Sequence, residues 1–313
     1  MLGRSWLFYN LVPTFLFCSF NNIKSLCMIL FLKSILGILA GLFSFSFFSD
    51  IIQHWDKVKF RFLPPLLGIG FLTNFLDTLG IGSFAQQTAL FKFFKLLDDK
   101  LIPGTMNVGN TLPTVTQAFI FMTVVEIDKI TLFSIAVAAS LGSVLGAGIV
   151  SHLSRRRIQF GMGYGLLLVG IIILSGLMGL LPLGGEAVGL SGWKLLLITV
   201  MSFVFGALQT IGVGFYAPCM AMVYGLGMHP LTAFPVMMTS TAMLMVAGSS
   251  RFIHEKTYDR NSAIALSIAG IFGVFLAAYV VKSLPLQALK WIVCLVVFYT
   301  SLSMLRSAHL KDE

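Results

Sequence analysis

The stretch LDTLGIGSFA, residues 76 to 85, interrupts an apolar segment with a carboxylic acid and two glycines. Asp77 precedes a Gly-Ile-Gly triplet that is expected to break a helix, because glycine destabilises helix interiors. A near copy, LQTIGVGFYA, occupies residues 208 to 217 and carries Gln209 where the first copy carries the acid. The chain therefore contains the same interruption twice and charges only one copy.

The composition around these stretches is that of a membrane protein. Hydrophobic residues make up 57% of the 313 residues, charged residues make up 11%, and the mean hydropathy is +0.93. A soluble domain carries roughly 25% charged residues. Apolar segments long enough to cross a hydrocarbon core about 30 Å thick fall approximately at 28–49, 62–97, 105–126, 130–152, 158–182, 193–226, 230–252, 262–281 and 287–306. We predict an all-α, polytopic helical membrane protein.

The charged, cysteine and histidine residues exclude several other classes. A net charge of +9 is typical of basic cytoplasmic loops beside anionic lipid, so the lipid bilayer is the expected partner and nucleic acid is not. The four cysteines and five histidines have neither disulfide-framework nor metal-site spacing. No metal or cofactor is therefore expected.

Two halves of the chain match each other over more than the opening motif. LGSVLGAGIVSHL (141–153) corresponds to FGVFLAAYVVKSL (272–284), and Asp128 falls opposite Asp259, both at the offset of 131 residues that nearly equals the offset of 132 between the glycine motifs. The predicted organisation is an N-terminal extension with one extra membrane helix (1–61), repeat 1 (62–182), a linker (183–192), repeat 2 (193–306) and a tail (307–313).

The two glycine-motif segments could either cross the membrane or form hairpins that return to the same side. The distribution of basic residues distinguishes these alternatives, because Lys and Arg prefer cytoplasmic loops. If every segment crosses, the 21 Lys and Arg divide 11 to 10 between the two sides. If both motif segments are re-entrant hairpins, 14 lie on one side and 7 on the other. The uneven division favours hairpins. Each half then crosses the membrane an odd number of times, so the two halves have opposite orientations in the membrane. The alternative is long kinked spans in parallel repeats. The favoured topology predicts a multi-pass inner-membrane protein with a cytoplasmic C-terminus.

The two glycine motifs are the first candidate for a binding site. The second arm of a hairpin starts at the break, so its first N–H groups lack helical partners and its dipole makes the tip partly positive. Two facing tips would form an anion site; the alternative is that the glycines only permit tight helix packing. The candidates in these motifs are Gly80, Gly82, Ser83, Gln209, Gly212, Gly214 and Tyr216.

The segments that follow the motifs are unusually polar for entering membrane helices. PGTMNVGNTLPT (103–114) and AFPVMMTSTAML (233–244) correspond at an offset of 130. Their neutral donors could hold an oxyanion, although Ser and Thr hydroxyls also bond back to their own helix. The candidates here are Asn107, Asn110, Thr111, Thr239, Ser240 and Thr241.

Asp77 is the one acidic residue that falls deep inside an apolar segment. Ionisable groups at membrane depth are costly and by default indicate function. One hypothesis is a protonatable group that couples substrate movement to protons. The other is a local cap of the break at Gly80.

Enzyme classes are not indicated, because the chain lacks a Gly-x-Ser-x-Gly elbow, a P-loop and a His-Glu-x-x-His motif. The features above favour a membrane transporter that takes a small anionic substrate, alone or as a homo-oligomer. An anion channel and a non-transporting scaffold or assembly factor are the alternatives.

The pair LDTLGIGSFA and LQTIGVGFYAPCMAMV, with IPGTMNVGNTLPT and HPLTAFPVMMTSTAM after them, resembles the sulfite exporter TauE/SafE family of membrane permeases. The resemblance covers about residues 62 to 306. It implies two repeats and secondary transport of sulfite, sulfonates or similar anions. The chain departs from the family's common run of three or four glycines, since it has Gly-Ile-Gly and Gly-Val-Gly.

Overall fold

The computed structural model describes residues 20–58, 62–122, 128–180, 185–280 and 286–309. Within them the chain forms eleven α-helices. In chain order they are α1 (Phe20–Gln53), α2 (Leu63–Thr78), α3 (Phe84–Phe93), α4 (Ile102–Phe121), α5 (Lys129–Ser151), α6 (Arg155–Leu177), α7 (Gly192–Ile211), α8 (Tyr216–Gly225), α9 (Pro230–His254), α10 (Arg260–Phe275) and α11 (Leu286–His309). A 3-10 turn (Trp55–Lys57) follows α1, and a π-helical turn (Leu276–Val280) extends α10.

The predicted fold class is confirmed at the level of an all-α, multi-pass membrane protein. No strand occurs in the described part of the chain. Six of its helices are long and apolar enough to cross a membrane: Leu30–Gln53, Lys129–Ser151, Arg155–Leu177, Gly192–Ile211, Pro235–His254 and Arg260–Tyr279.

Helices α4 and α9 form the centre of the molecule. They pack against each other, and 78% of the apolar window in Pro235–His254 is buried. Around them α2 pairs with α10, α5 pairs with α7, and α6 pairs with α11. The central position explains why α4 can be polar, since its asparagines and threonines face protein rather than lipid.

The helices run between two ends of the molecule. The end that holds residues 92–100, 151–157 and 251–260 is called the basic end; there Arg155 lies 3.9 Å from Asp98, and His152 lies 3.8 Å from Glu255. The opposite end, called the linker end, holds residues 128–131, 185–194 and 226–229. There the Asp128 N–H donates to Val188 O, and the His229 N–H donates to Ala187 O.

In two places the chain enters the molecule and leaves it again at the same end. Helices α2 and α3 do so at the basic end, and helices α7 and α8 do so at the linker end. Lys194 in the first turn of α7 donates to Leu226 O just after α8, at 2.9 Å, so α7 and α8 both reach the linker end. Helix α3 reverses beside α2, since Gln87 in its first turn donates to Thr73 at 2.8 Å. The chain after α3 then reaches Asp99, which accepts from Gln159 of α6 at the basic end.

Aspartate residues begin two of the helices. Asp128 accepts from the Thr131 N–H at 2.7 Å, and Asp259 accepts from the Ser262 N–H at 2.8 Å. Such side chains satisfy N–H groups that a helix start leaves without partners. The predicted boundaries at residues 61 and 183, the first nineteen residues and the end of the tail (310–313) lie outside the described residues.

Candidate functional site

Both glycine motifs interrupt the chain in the same way. The first break, residues 79–83, separates α2 from α3, and the second break, residues 212–215, separates α7 from α8. The φ angles are 81° at Gly80 and 87° at Gly82 in the first break, and 100° at Gly212 and 87° at Gly214 in the second. These angles lie in the region that side chains disfavour, so glycine is the residue that fits all four places.

Asp77 lies in the last turn of α2, immediately before the first break, and is only 2% exposed. Its Oδ2 accepts a hydrogen bond from Nε2 of Gln117 in α4 at 2.9 Å. The same Nε2 lies 3.1 Å from the Thr78 hydroxyl. Ser83 adds contacts to the carboxyl group from its hydroxyl and its backbone N–H. The acid is therefore held by neutral donors from the first break and from α4.

Tyr216 brings the second break to the same group. It is the first residue of α8, and its hydroxyl donates to Gln117 Oε1 at 3.3 Å. The hydroxyl also contacts Met238 and Thr241 of α9. Gln117 thus donates to Asp77 on one side and accepts from Tyr216 on the other, so one side chain connects the two breaks.

A second buried network joins α2, α3 and α4. Gln87 donates to Thr73 and to Asn110 Oδ1, at 2.8 Å each, and Asn110 returns a bond to Gln87 Oε1 at 2.6 Å. Asn74 donates to the same Asn110 oxygen at 2.9 Å. This network fixes α3 against α2, and therefore fixes where the first break lies.

Several buried polar atoms near the breaks lack a hydrogen-bond partner among the described residues. Unpaired buried polar groups are rare and call for an explanation. They include both amide atoms of Gln86 in the first turn of α3 and Oε1 of Gln209 in the last turn of α7. On α4 and α9 they are Asn107 Oδ1, Thr239 Oγ1 and Ser240 Oγ. These atoms could bind a polar ligand or water between the breaks.

Charge and metal-binding groups are scarce here. No Lys or Arg pairs with Asp77 in the described part of the chain, and no group of three His, Cys, Asp or Glu there could hold a metal ion. Cys219, in α8, is fully buried and free. The site therefore offers one ionisable acid among neutral donors.

The structure brings some of the predicted site residues together and separates others. Asp77, Ser83, Tyr216 and Thr241 meet around Gln117. Asn107 reaches the second break only through Gln209 O at 3.5 Å, and its amide also bonds to its own helix. The remaining hydroxyl and amide groups do not contact Gln117: Asn110 belongs to the second network, Thr111 pairs with Ser249 at 2.8 Å, and the Thr239 and Ser240 hydroxyls are buried without partners among the described residues.

Three glutamines of the site were not predicted from the sequence: Gln117, which connects the two breaks, and Gln86 and Gln87. The signal for Gln86 and Gln87 was available, because two adjacent amides directly follow the break in an apolar segment. Asn74 and Asp77 also lie on one buried helix face three residues apart.

No family model, no curated protein and no solved structure matches the chain.

Proposed function

We propose that the protein is a secondary transporter for small anions of the sulfite and sulfonate type, with Asp77 as the proton-coupling group. The observation that carries the proposal is the connection Asp77–Gln117–Tyr216, which joins two similarly shaped breaks in the buried centre of a membrane protein. The substrate class comes from the resemblance of the motifs to the TauE/SafE permeases.

The proposal includes two repeats of inverted orientation. Helices α2 to α6 and α7 to α11 follow the same order of long helix, break, short helix and three long helices. In this order each helix of the first half corresponds to the helix five places later. The α2–α10 contact therefore corresponds to the α7–α5 contact, and the α4–α9 and α6–α11 contacts each join two corresponding helices. The first hairpin opens to the basic end and the second to the linker end, as inversion requires. Inverted repeats with broken helices are a recurring transporter plan.

Close backbone contacts repeat between the halves. A Cβ on Gly142 of α5 would lie 1.9 Å from Phe203 O of α7, and a Cβ on Gly273 of α10 would lie 2.3 Å from Phe71 O of α2. The two pairs correspond at offsets of 131 and 132 residues. Matching contacts at matching positions support a common origin of the halves.

The site suits an anion that binds with a proton. The first N–H groups of α3 and α8 point the positive ends of two helices at the breaks, and the amide nitrogen of Gln86 beside the first break has no hydrogen-bond partner among the described residues. A charged Asp77 would repel an anion at this place, whereas a protonated one would not. Anion binding therefore favours proton uptake by Asp77, and the single acid avoids repulsion between two facing carboxylates.

The test is uptake of a labelled short-chain sulfonate into proteoliposomes, with sulfite measured alongside. A sulfonate stays ionised over the tested pH range, so changes with pH come from the protein. Wild-type uptake should rise when the outside is more acidic than the inside. Asp77→Asn should abolish this dependence, because asparagine cannot exchange a proton, while the exposed control Asp56→Asn should keep it.

Three results would contradict the proposal. If Asp77→Asn retains wild-type uptake and pH dependence, the coupling role is wrong. If wild-type flux follows the anion gradient alone at every pH, the protein is a channel rather than a coupled transporter. If wild-type flux never exceeds that of protein-free liposomes at any pH, transport itself is excluded.

A further inference from the structure

A cavity of about 600 Å³ opens at the basic end, far along the chain from the two breaks. Its wall is formed by α5, the turn after it, the start of α6 and the end of α9. The lining residues include Leu145, Gly148, Ile149, His152, Arg157 and Arg251. The cavity therefore combines aliphatic side chains on one wall with two guanidinium groups.

The two arginines differ in how they are held. The Arg157 side chain is exposed and makes no hydrogen bond or ion pair within the described ranges. Arg251 donates to Glu255 at 2.7 Å, and its side chain remains 43% exposed. Its Nε would lie 3.4 Å from a Cβ on Gly148, so the missing side chain lets the guanidinium lie close to α5. Each guanidinium has five N–H donors, and one carboxylate leaves several of them free.

The neighbouring charges leave the cavity positive. Glu255 is the one acid beside it among the described residues, and it is shared by Arg251, His152 and His254, the histidines at 3.8 Å each. The imidazole of His152 is also bonded to Gly148 O at 2.8 Å. Two arginines against one carboxylate give a net positive charge even with both histidines neutral.

An apolar stripe leads away from the cavity along the outer face of α5. Leu141, Leu145 and Ile149 stand one helical turn apart and are 57%, 58% and 64% exposed. On a membrane-spanning helix, this face lies against hydrocarbon chains. The stripe ends at the arginines, at the level where a bilayer places its headgroups.

We propose that this cavity binds an anionic phospholipid of the leaflet at the basic end. The phosphate lies between Arg157 and Arg251, and an acyl chain follows the Leu141–Leu145–Ile149 stripe. Arginine suits phosphate because its planar fork donates two parallel hydrogen bonds. The site is separate from the breaks, so the inference does not depend on the proposed transport function.

The experiment is native mass spectrometry of the purified full chain with phosphatidylglycerol or phosphatidylcholine of the same acyl chains. Wild-type protein should retain phosphatidylglycerol preferentially. Binding should weaken about fivefold for each arginine removed in Arg157→Gln and Arg251→Gln, the expectation for one basic charge at a lipid surface. Arg306→Gln is the matched control, since Arg306 is an exposed arginine of the same end that does not line the cavity.

Three outcomes would overturn the proposal. Equal retention of the two lipids would show that the headgroup charge is not recognised. An unchanged preference in the Arg157→Gln/Arg251→Gln double variant would place the lipid elsewhere. Displacement of the lipid by inorganic phosphate at equal concentration would show that the cavity binds a free anion and takes nothing from the acyl chain.

Discussion

At the scale of single residues, the glycines of the breaks decide the shape of the site. A Cβ on Gly82 would meet no atom within 4 Å, so the space around it does not require glycine. Its φ of 87° does, because an L-amino acid in such a conformation costs roughly 1–2 kcal/mol. The backbone conformation, rather than packing, is therefore the reason for glycine at this position.

Gly82→Ala should lower the thermal unfolding midpoint and reduce uptake, because the break must strain or change shape. Gly68→Ala is the matched control: Gly68 lies inside α2, and a Cβ there also meets no atom within 4 Å. This control should leave stability unchanged or raise it, since alanine is the better helix former by about 1 kcal/mol. Equal midpoints for the two variants would show that the break tolerates a side chain and does not depend on the positive φ.

The residue scale also shows where sequence reasoning stops. Asp77 and both glycine pairs could be predicted, because they stand out in apolar segments. The meeting of Asp77 and Tyr216 could not, since it depends on where α4 places Gln117 between two hairpins. A neutral amide carries no sequence signal that distinguishes a connecting residue from one bonded to its own helix.

At the scale of helices, a buried polar cluster around Asp50 joins the end of α1 to the start of α10. Asp50, near the end of α1, accepts from Arg260 Nε at 2.8 Å, from Arg260 Nη2 at 3.0 Å and from the Tyr258 hydroxyl. The Asp50 and Arg260 side chains are only 10% and 14% exposed. Burial and the bond to Asp50 raise the pKa of Tyr258, so this hydroxyl stays a donor at ordinary pH.

Asp50→Asn should destabilise the protein by about 2 kcal/mol, because it removes charge-assisted bonds and leaves the Arg260 guanidinium without its counterion. The change is measured by thermal or denaturant unfolding of the purified protein. Asp56→Asn serves as the control, since Asp56 lies three residues beyond the end of α1, exposed in the turn. A stability of Asp50→Asn equal to that of Asp56→Asn would mean that α1 is held by its apolar contacts with α4 and α9 alone.

At the scale of the whole molecule, hydropathy predicted where the helices lie in the sequence better than it predicted whether each one crosses the membrane or turns back. The apolar segments at 62–97 and 193–226 each became two helices, and the glycine motifs marked the places of separation. The return of α8 beside Lys194 and of α3 beside Thr73 could be predicted only indirectly, from the distribution of basic residues. The cavity at the basic end could not be predicted, because Arg251 joins Arg157 only through the packing of α9 against α5.

The paths of the two hairpins give the last prediction, which concerns topology. Single cysteines at Asp56, Lys100, Ser191 and Gly225, all exposed positions, are introduced into a background without the four native cysteines. A membrane-impermeant maleimide should label Asp56→Cys and Lys100→Cys from the cytoplasmic side. It should label Ser191→Cys and Gly225→Cys from the opposite side, because each hairpin enters and leaves at one end. Labelling of Lys100→Cys from the side opposite to Asp56→Cys would mean that α2 and α3 together cross the membrane. The two halves would then be parallel, and the proposed inverted orientation of the repeats would be wrong.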